Sequence, residues 1–234
     1  MIPKIFNMFN KLRSSKTSSE RFTFLDVGFH GDLYLIELVD TIMNKCKYFV
    51  ETGTNVGSTL TYVAKKYPEI QCFSCETDMT AFGRAQQNTA GCGNVQLFNK
   101  ASLEFLEQLF TQQEISDGEV LFWLDAHGYG FDWQLREEVA MITAHLEKAF
   151  LLVDDFFVPG MDCFGYDEYN GQVCSFEYIK DSLSNRYDYS VYYPQYTDRT
   201  SQNHPLRGWG LIDYGHSGEL VIPEKLKNCI KKEQ

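Results

Sequence analysis

Acidic side chains recur at the ends of short apolar runs in this sequence, at positions where α/β proteins place residues that do chemistry. The acids concerned are Glu51, Glu76, Asp125, Asp154 and Asp155. If the apolar runs are parallel strands of one sheet, their carboxyl ends meet at one edge, which is where open α/β sheets bind ligands. The spacing therefore predicts an acidic rim, which favours a positively charged ligand or a metal ion.

A glycine-bearing loop follows the first of these strands. The run Glu51–Gly57 (ETGTNVG) places glycines where backbone must turn tightly and let a ligand approach the next helix. It lacks the G-x-G-x-x-G pattern of dinucleotide-binding loops and the G-x-x-x-x-G-K-S/T pattern of phosphate-binding loops. Taken alone, the spacing also fits an ordinary loop. Glu51 beside the first turn opposes a pyrophosphate and favours a ligand that carries positive charge.

Glu76 follows the second predicted strand. At this position an acid can accept hydrogen bonds from both hydroxyls of a ribose. By itself Glu76 is also explained as a solvated strand end, but its combination with the glycine loop favours a nucleoside ligand.

Three aspartates form a second group of candidate ligands: Asp125, Asp154 and Asp155. Carboxylates from adjacent strand ends fit the oxygen coordination that Mg²⁺ prefers. The alternative is that Asp154 and Asp155 cap the loop after the apolar run Leu151–Val153. Because neighbouring acids repel each other unless a cation or hydrogen-bond donors offset their charge, a bound divalent ion is one hypothesis for this pair.

His127 lies two residues beyond Asp125 and is the candidate general base, since an imidazole with an ordinary pKa accepts a proton at neutral pH. A histidine that only holds the loop by a hydrogen bond explains it equally well. His30, His204 and His216 are further candidates, but they lack a comparable position after a strand.

Helices and short apolar strands alternate along the chain as far as Val153, which predicts a parallel sheet covered on both faces. We expect a helix over residues 171–184, then an antiparallel pair of strands at Tyr187–Tyr193 and Gly208–Tyr214. Residues 1–20 are predicted to form an N-terminal arm, whose apolar spacing permits a short amphipathic helix followed by a flexible joint, and residues 21–234 a single domain. Either a membrane-surface or partner-docking arm or a loosely packed terminus fits this segment.

Composition excludes several classes of protein. The 234 residues carry 21 Lys and Arg against 32 Asp and Glu, a net charge of −11 that repels nucleic acids. No apolar run is long enough to span a bilayer. Seven cysteines, an odd number, and the lack of a recognisable signal peptide predict reduced thiols and a cytoplasmic location.

Three segments carry a resemblance to a known family. Phe49–Ser58 (FVETGTNVGS), followed by Glu76, resembles the cofactor loop and ribose carboxylate of class I S-adenosylmethionine-dependent methyltransferases. Phe122–His127 (FWLDAH) and Val153–Gly160 (VDDFFVPG) resemble the FkbM-type and related sugar-pathway members. The resemblance spans residues 48–160 and rests on the order and spacing of these segments.

The resemblance implies a Rossmann-like, doubly wound, mostly parallel seven-stranded sheet with a reversed terminal strand. It implies that Glu51 lies near the methionine amino group of S-adenosyl-L-methionine and that Glu76 holds the ribose. The other cofactor-binding residues that it implies are Gly53, Asn55, Gly57, Ser58, Ala101, Ser102 and Asp125.

The implied reaction is O-methylation of a small hydroxylated acceptor such as a sugar, assisted by Mg²⁺ on Asp125, Asp154 and Asp155. Asp125, His127 and Asp154 are the expected catalytic residues. Catechol O-methyltransferase has Asp and then Asp-Asn at the matching strand ends, so Asp155 adds a negative charge here. Two alternatives stay open: a metal-dependent glycosyltransferase, and a non-catalytic protein that binds the cofactor.

Overall fold

The protein is described here from a computed structural model that covers residues 27–112, 115, 118–126, 133–197, 206–218 and 220–233. The predicted arm at residues 1–20 lies outside these ranges. Among the residues covered, no helix is both long enough and apolar enough to cross a membrane.

Helices and strands alternate through the first two thirds of the described chain. The helices are α1 (Leu33–Met43), α2 (Ser58–Lys66), α3 (Met79–Thr89), α4 (Ser102–Gln112), α5 (Leu135–His145) and α6 (Phe176–Ile179). The strands are β1 (Tyr48–Thr52), β2 (Gln71–Cys75), β3 (Val95–Phe98), β4 (Val120–Leu124), β5 (Ala149–Val153), β6 (Glu168–Tyr169), β7 (Gln172–Val173), β8 (Tyr189–Pro194), β9 (Gly210–Tyr214) and β10 (Ile230–Glu233).

The main sheet has eight strands in the order β10-β8-β9-β5-β4-β1-β2-β3. Strands β1 to β5 are parallel, whereas β9 runs antiparallel to both β5 and β8. The predicted Rossmann-like, mostly parallel sheet with a reversed strand is confirmed. The eighth strand, β10, was not predicted and pairs antiparallel with β8 at the edge.

The centre of the sheet is buried on both faces. All five residues of β4 and all five of β5 are buried, as expected for strands that are covered by helices on either side. Helix α1 contributes an apolar stripe of Leu35, Leu38 and Ile42 at helical spacing. The apolar residues thus fix strand positions, and the polar residues that follow each strand are left at the edge.

The prediction of one helix over residues 171–184 was wrong. Asn170 and Gly171 have positive φ angles of 53° and 79°, which suit the turn of the small hairpin β6–β7. Helix α6 begins only after Ser175, whose side chain accepts a hydrogen bond from the Tyr178 N–H.

A buried network anchors the segment that precedes α1. The Asp32 carboxylate caps α1 by accepting hydrogen bonds from the N–H groups of Tyr34 (3.0 Å) and Leu35 (3.1 Å). It also accepts one from the Tyr196 hydroxyl. The indole N–H of Trp209 donates to the oxygen of Tyr196 at 3.1 Å. The start of α1 is therefore tied to residues that flank β8 and β9.

Two helix caps of the same residue type allow this network to be tested. Asp78 caps α3 through the N–H groups of Thr80 and Ala81 but is exposed. We expect Asp78→Ala to lower the free energy of unfolding by about 1 kcal/mol, the value of a cap. Asp32→Ala should cost about 2–3 kcal/mol, because the buried Tyr196 hydroxyl also loses its acceptor. Urea denaturation measures both losses, and equal values would contradict the network.

Candidate functional site

The ends of four parallel strands lie side by side at the carboxyl edge of the sheet. The register pairs Thr52 of β1 with Cys75 of β2 and Leu124 of β4, and pairs Leu124 with Val153 of β5. The residues that follow these strands therefore start at one level. The structure brings together at this edge the predicted residues Glu51, Gly53, Glu76, Asp125, Asp154 and Asp155.

The loop between β1 and α2 requires its two glycines. Gly53 has a φ of +86°, and a Cβ there would lie 2.4 Å from the carbonyl oxygen of Asp125. Gly57 has a φ of +81°, and a Cβ there would lie 3.3 Å from Ala85 of α3. The glycines thus let the loop pass close to the end of β4 and then enter α2 beside α3.

Glu76 fastens this loop to the end of β2. One oxygen of its carboxylate accepts the N–H of Asn55 at 2.7 Å, and the other accepts the N–H of Asp78 at 2.8 Å. Each carboxylate oxygen has a second lone pair with which it can accept a further hydrogen bond. Glu76 therefore holds the glycine loop in place and still offers acceptor sites to a ligand.

Glu51 is buried beneath the loop, with 2% of its surface exposed. Its carboxylate accepts a hydrogen bond from the Ser74 hydroxyl at 2.6 Å, and Ser74 in turn shares one with Thr54. Burial is the main cause that raises the pKa of Glu51 to about 8; the Ser74 hydrogen bond opposes this rise, and the charge of Glu76 adds to it. A positively charged ligand nearby would favour the ionised form.

The three serine and alanine positions predicted for the site differ in their surroundings. The Ser58 hydroxyl oxygen at the start of α2 is buried and has no hydrogen-bond partner within the part of the chain that the structure describes. Ser102 is also buried, and its hydroxyl donates to the side-chain oxygen of Gln134 at 2.9 Å. Ala101 is half-buried directly before α4. An unpartnered buried hydroxyl is unusual, and Ser58 therefore marks a place where a ligand group can supply the missing hydrogen bond.

The three aspartates form one cluster. Asp125, Asp154 and Asp155 each present a carboxylate oxygen, and these oxygens all lie within 4.8 Å of one another. Burial raises the pKa of Asp125 well above its usual range, and the charges of Asp154 and Asp155 add to the rise. Burial and the charge of Asp154 likewise raise the pKa of Asp155 to about 7. The cluster therefore holds more negative charge than its surroundings stabilise.

His30 offsets part of this charge. Its Nε2 atom lies 2.6 Å from Oδ2 of Asp154, which is 1% exposed. The charge of Asp154 raises the pKa of His30 to about 9, although burial opposes the rise, so the two residues form an ion pair at neutral pH. The sequence analysis named His30 as a further candidate base, but no predicted strand ends directly before it. Its position between Gly28 and Gly31 is the signal that marks it.

Arg207 is the second cation at the cluster, and the sequence did not single it out. One guanidinium nitrogen of Arg207 forms an ion pair with Oδ1 of Asp155 at 2.9 Å and lies 3.9 Å from Oδ1 of Asp167. Asp155 and Asp167 are linked directly, since the N–H of Asp167 donates to the Asp155 carbonyl at 2.9 Å. Arg207 thus joins the loop after β5 to the segment before β9.

The backbone around the cluster is strained. Phe29 and His30 have φ angles of 52° and 54°, a conformation that costs free energy in residues other than glycine. Asn55 and Asp155 also have positive φ angles, of 50° and 47°. Among the residues that the structure describes, six non-glycine residues share this property and these four lie at the rim. Such strain concentrates at functional sites, where the surrounding structure holds it.

Packing of Phe29 holds the strained turn. Its ring is fully buried and makes edge-on contacts with the rings of Phe49, Tyr62 and Trp123, at centroid distances of 6.4, 6.3 and 5.1 Å. Aromatic pairs in this geometry stabilise each other beyond their buried area. The buried ring anchors the turn, and His30 next to it reaches Asp154.

Glu138 of α5 is a further buried acid that sequence reasoning missed, because it lies within a helix rather than after a strand. It is 1% exposed, and the Thr52 hydroxyl donates to one of its oxygens at 3.5 Å. Among the described residues, the other oxygen has no hydrogen-bond partner. Burial raises its pKa to about 7, while the nearby hydroxyl groups of Ser102 and Thr52 oppose the rise. His127, the predicted base, lies outside the described residues.

Comparison with known proteins supports the fold but identifies no family for this chain. No protein-family model matches the sequence, and a search of curated proteins finds no match. Solved structures with a similar fold include the O-methyltransferase TomG from Streptomyces achromogenes, involved in tomaymycin synthesis and solved in complex with SAM. It is 16% identical with a TM-score of 0.57, and the match covers 92% of this chain and 99% of that chain.

A second similar structure is an O-methyltransferase from Bacillus cereus in complex with SAH. It is 12% identical with a TM-score of 0.53, and the match covers 92% of this chain and 93% of that chain. Both matches cover 92% of this chain, and they agree with the Rossmann-like architecture.

The His30–Asp154 ion pair predicts a pH-dependent contribution to stability. The folded pKa of His30, about 9, lies above the ordinary value of 6.5. The contribution is therefore complete below pH 6.5 and is lost as the pH rises through 9. In urea denaturation with EDTA, His30→Gln should lower the free energy of unfolding by about 1–2 kcal/mol at pH 6 and by almost nothing at pH 10.

The matched control removes the partner. In a background that carries Asp154→Asn, His30→Gln should have a small effect that does not change with pH, because the ion pair is already absent. A loss from His30→Gln that stays constant from pH 6 to pH 10 in the parent protein would show that the ion pair contributes nothing.

Proposed function

We propose that this protein is an S-adenosyl-L-methionine-dependent methyltransferase that methylates an oxygen of a small hydroxylated acceptor. The observation that carries the proposal is the glycine loop Gly53–Gly57, closed by Glu76 and lying over buried Glu51 at the carboxyl edge. The fold supports it, because the two similar structures above are O-methyltransferases solved with SAM and SAH.

The residues proposed to line the cofactor site each have a physical reason to do so. The remaining lone pairs of Glu76 would accept the ribose hydroxyls, and the Ser58 hydroxyl would gain the partner that it lacks. Gly53 and Gly57 leave room for close approach to the backbone. The complete proposed set is Glu51, Gly53, Asn55, Gly57, Ser58, Glu76, Ala101, Ser102 and Asp125.

Charge complementarity supports a cationic cofactor. S-adenosyl-L-methionine supplies an activated methyl group on a sulfonium and also carries an ammonium group. Glu51 and Asp125 have raised pKa values in the protein alone, so both would ionise more readily opposite positive charge. The acids would then hold the ligand, and its positive charge would offset the cost of burying their negative charge.

Asp125, His127 and Asp154 are proposed to orient the acceptor hydroxyl and take its proton. As the acceptor oxygen bonds to the methyl carbon, the carbon–sulfur bond breaks with its electron pair left on sulfur, and the hydroxyl proton passes to one of these groups. The ion pair with His30 fixes the position of Asp154. Fixed geometry matters because alignment of the reacting atoms supplies much of the rate.

A divalent cation is part of the proposal. Asp125, Asp154 and Asp155 are all oxygen donors within 4.8 Å of one another, which fits Mg²⁺, although His30 and Arg207 already engage two of the three carboxylates. When bound, such an ion would lower the pKa of an acceptor hydroxyl. The acids would hold it and share their charge with the two cations.

A sugar is the acceptor that the sequence resemblance favours.

The seven cysteines all lie among the described residues and are thiols, which supports a cytoplasmic location. Against a glycosyltransferase, Glu51 and the aspartates would oppose the diphosphate of a nucleotide-sugar. A non-catalytic cofactor-binding protein would share the cofactor site but transfer no methyl group.

Isothermal titration calorimetry with S-adenosylhomocysteine tests the cofactor site. We expect binding to the parent protein, and about tenfold weaker binding to Glu76→Gln because a hydrogen bond to a charged acceptor is lost. The control Glu107→Gln changes an exposed acid of α4 and should bind like the parent. Binding of UDP in place of S-adenosylhomocysteine would overturn the proposal in favour of the glycosyltransferase.

Electron paramagnetic resonance with Mn²⁺ tests the metal separately from activity. The parent protein should bind the ion, and Asp154→Asn should weaken binding at least tenfold because a charged ligand is removed. Failure of the parent protein to bind Mn²⁺ would remove the metal from the proposal and leave His30 and Arg207 as the cations of the cluster.

A further inference from the structure

A surface cavity lies at the edge of the sheet where the parallel strands begin, opposite the acidic rim. Strand β9 runs antiparallel to β5 and pairs its last residue, Tyr214, with Ala149 at the start of β5, so the turn after β9 lies at this amino edge. The cavity has a volume of about 200 Å³. It is lined by Asp188, Tyr189, Ser190, Ser217, Gly218 and Lys232, and we call it the amino-edge cavity.

Contacts between three segments shape the amino-edge cavity. The N–H of Gly215 donates to the Asp188 carbonyl at 2.8 Å, which ties the turn after β9 to the start of β8. A Cβ at Gly218 would lie 3.7 Å from Nζ of Lys232, so the side chain of this β10 residue reaches the same turn. Nζ of Lys232 also lies 5.6 Å from the centre of the Tyr192 ring, whose face attracts a cation. The cavity is therefore bounded by the turn, by β8 and by β10.

The amino-edge cavity presents one positive and one negative side chain. Among the residues that the structure describes, Lys232 and Asp188 form an ion pair neither with each other nor with a third residue. The neighbouring Lys231 differs, since its Nζ lies 3.3 Å from Oε1 of Glu233. Both lining charges are thus left for a ligand to pair with.

A buried acid lies behind one wall of the amino-edge cavity. Ser190 of β8 is the register partner of Asp213 in β9, so the two side chains lie on one face of the sheet. Asp213 is 1% exposed, and its Oδ1 lies 2.7 Å from Nδ1 of His216. Its Oδ2 has no hydrogen-bond partner in the part of the chain that the structure describes. This carboxylate adds negative potential behind Ser190 and attracts a positively charged group to that side.

The distribution of charge restricts what the amino-edge cavity can bind. An anion would be attracted by Lys232 but repelled by Asp188 and Asp213, and a cation would meet the reverse conflict. A small zwitterion avoids both conflicts. An α-amino acid carries its ammonium and carboxylate groups on one carbon, and the hydroxyls of Ser190 and Ser217 can each donate and accept a hydrogen bond.

We propose that the amino-edge cavity binds a free α-amino acid with a small side chain. The carboxylate of the ligand contacts Lys232, and its ammonium group faces Asp188 and the ring of Tyr189, which is 44% exposed. The cavity volume sets the limit on the side chain. This site is separate from the cofactor site proposed above and does not depend on methyl transfer.

Matched probes test the site by titration in saturation-transfer-difference NMR at low salt. Glycine and L-serine are the zwitterions. Glycinamide and L-serinamide keep only the positive charge, whereas N-acetylglycine and N-acetyl-L-serine keep only the negative charge. At least one zwitterion should bind about fivefold more tightly than either of its derivatives, because each derivative loses one exposed ion pair.

Single variants locate the bound zwitterion. Lys232→Gln and Asp188→Asn should each weaken its binding about fivefold, since each removes one charged partner. Lys231→Gln is the control for the cation, because Lys231 is exposed and pairs with Glu233. Asp181→Asn is the control for the acid, because Asp181 is exposed and does not line the cavity. Both controls should bind the zwitterion as the parent protein does.

Binding that requires both charges of the probe together with Lys232 and Asp188 supports the site. Equal binding of a zwitterion and its derivatives, no binding of either zwitterion, or equal losses in the variants and their controls would overturn it. Urea denaturation shows whether each variant is as stable as the parent, so that unfolding is not mistaken for lost binding. The titrations contain no S-adenosylhomocysteine, so failure of the amino-acid site and failure of the proposed methyl transfer are observed separately.

Discussion

Carboxylates that are held close together and away from water repel each other, and the rim of this sheet is built around that constraint. Asp125, Asp154 and Asp155 come within 4.8 Å of one another because the ends of β4 and β5 meet at one level. An uncompensated arrangement of this kind would cost several kcal/mol. The chain supplies His30 and Arg207 from outside the parallel strands, and each cation contacts one of the acids.

Much of the surrounding structure serves to deliver these two cations. His30 reaches Asp154 only because the chain accepts positive φ angles at Phe29 and His30, a strain that the buried Phe29 ring and the Asp32 cap hold in place. Arg207 reaches Asp155 from a segment that pairs with Gly165. The edge of the sheet is thus closed from one side by the segment before α1 and from the other by the segment before β9.

His30 and Arg207 offset only part of the negative charge of the acids, and this bears on which ligands can bind. Burial and neighbouring charges still raise the pKa of Asp155 to about 7 and that of Glu51 to about 8. A positively charged ligand would stabilise the ionised form of these carboxyl groups and would offset part of the free energy that burying their charge costs. The electrostatics of the rim and the glycine loop therefore favour the same kind of ligand, the cationic nucleoside proposed above.

The sequence by itself determined the alternation of strands and helices, the acid Glu51 near the end of β1, and the acids that follow β2, β4 and β5. It could do so because apolar periodicity is local and because parallel strands must share one carboxyl edge. The edge strand β10 escaped prediction because it pairs with β8, which is distant in the chain. The hairpin β6–β7 escaped prediction because each of its strands has only two residues, too few for an alternating pattern.

Only the tertiary structure decided how the acids are compensated. His30 and Asp154 are 124 residues apart, and no local pattern in either segment predicts that they form a contact. Glu138 sits in a regular helix, and only packing reveals that its carboxyl group is buried beneath Thr52. The sequence gives the type of each side chain, but the burial of a side chain and its charged partners depend on the folded structure. Burial and charged partners set the pKa values of the acids at the rim.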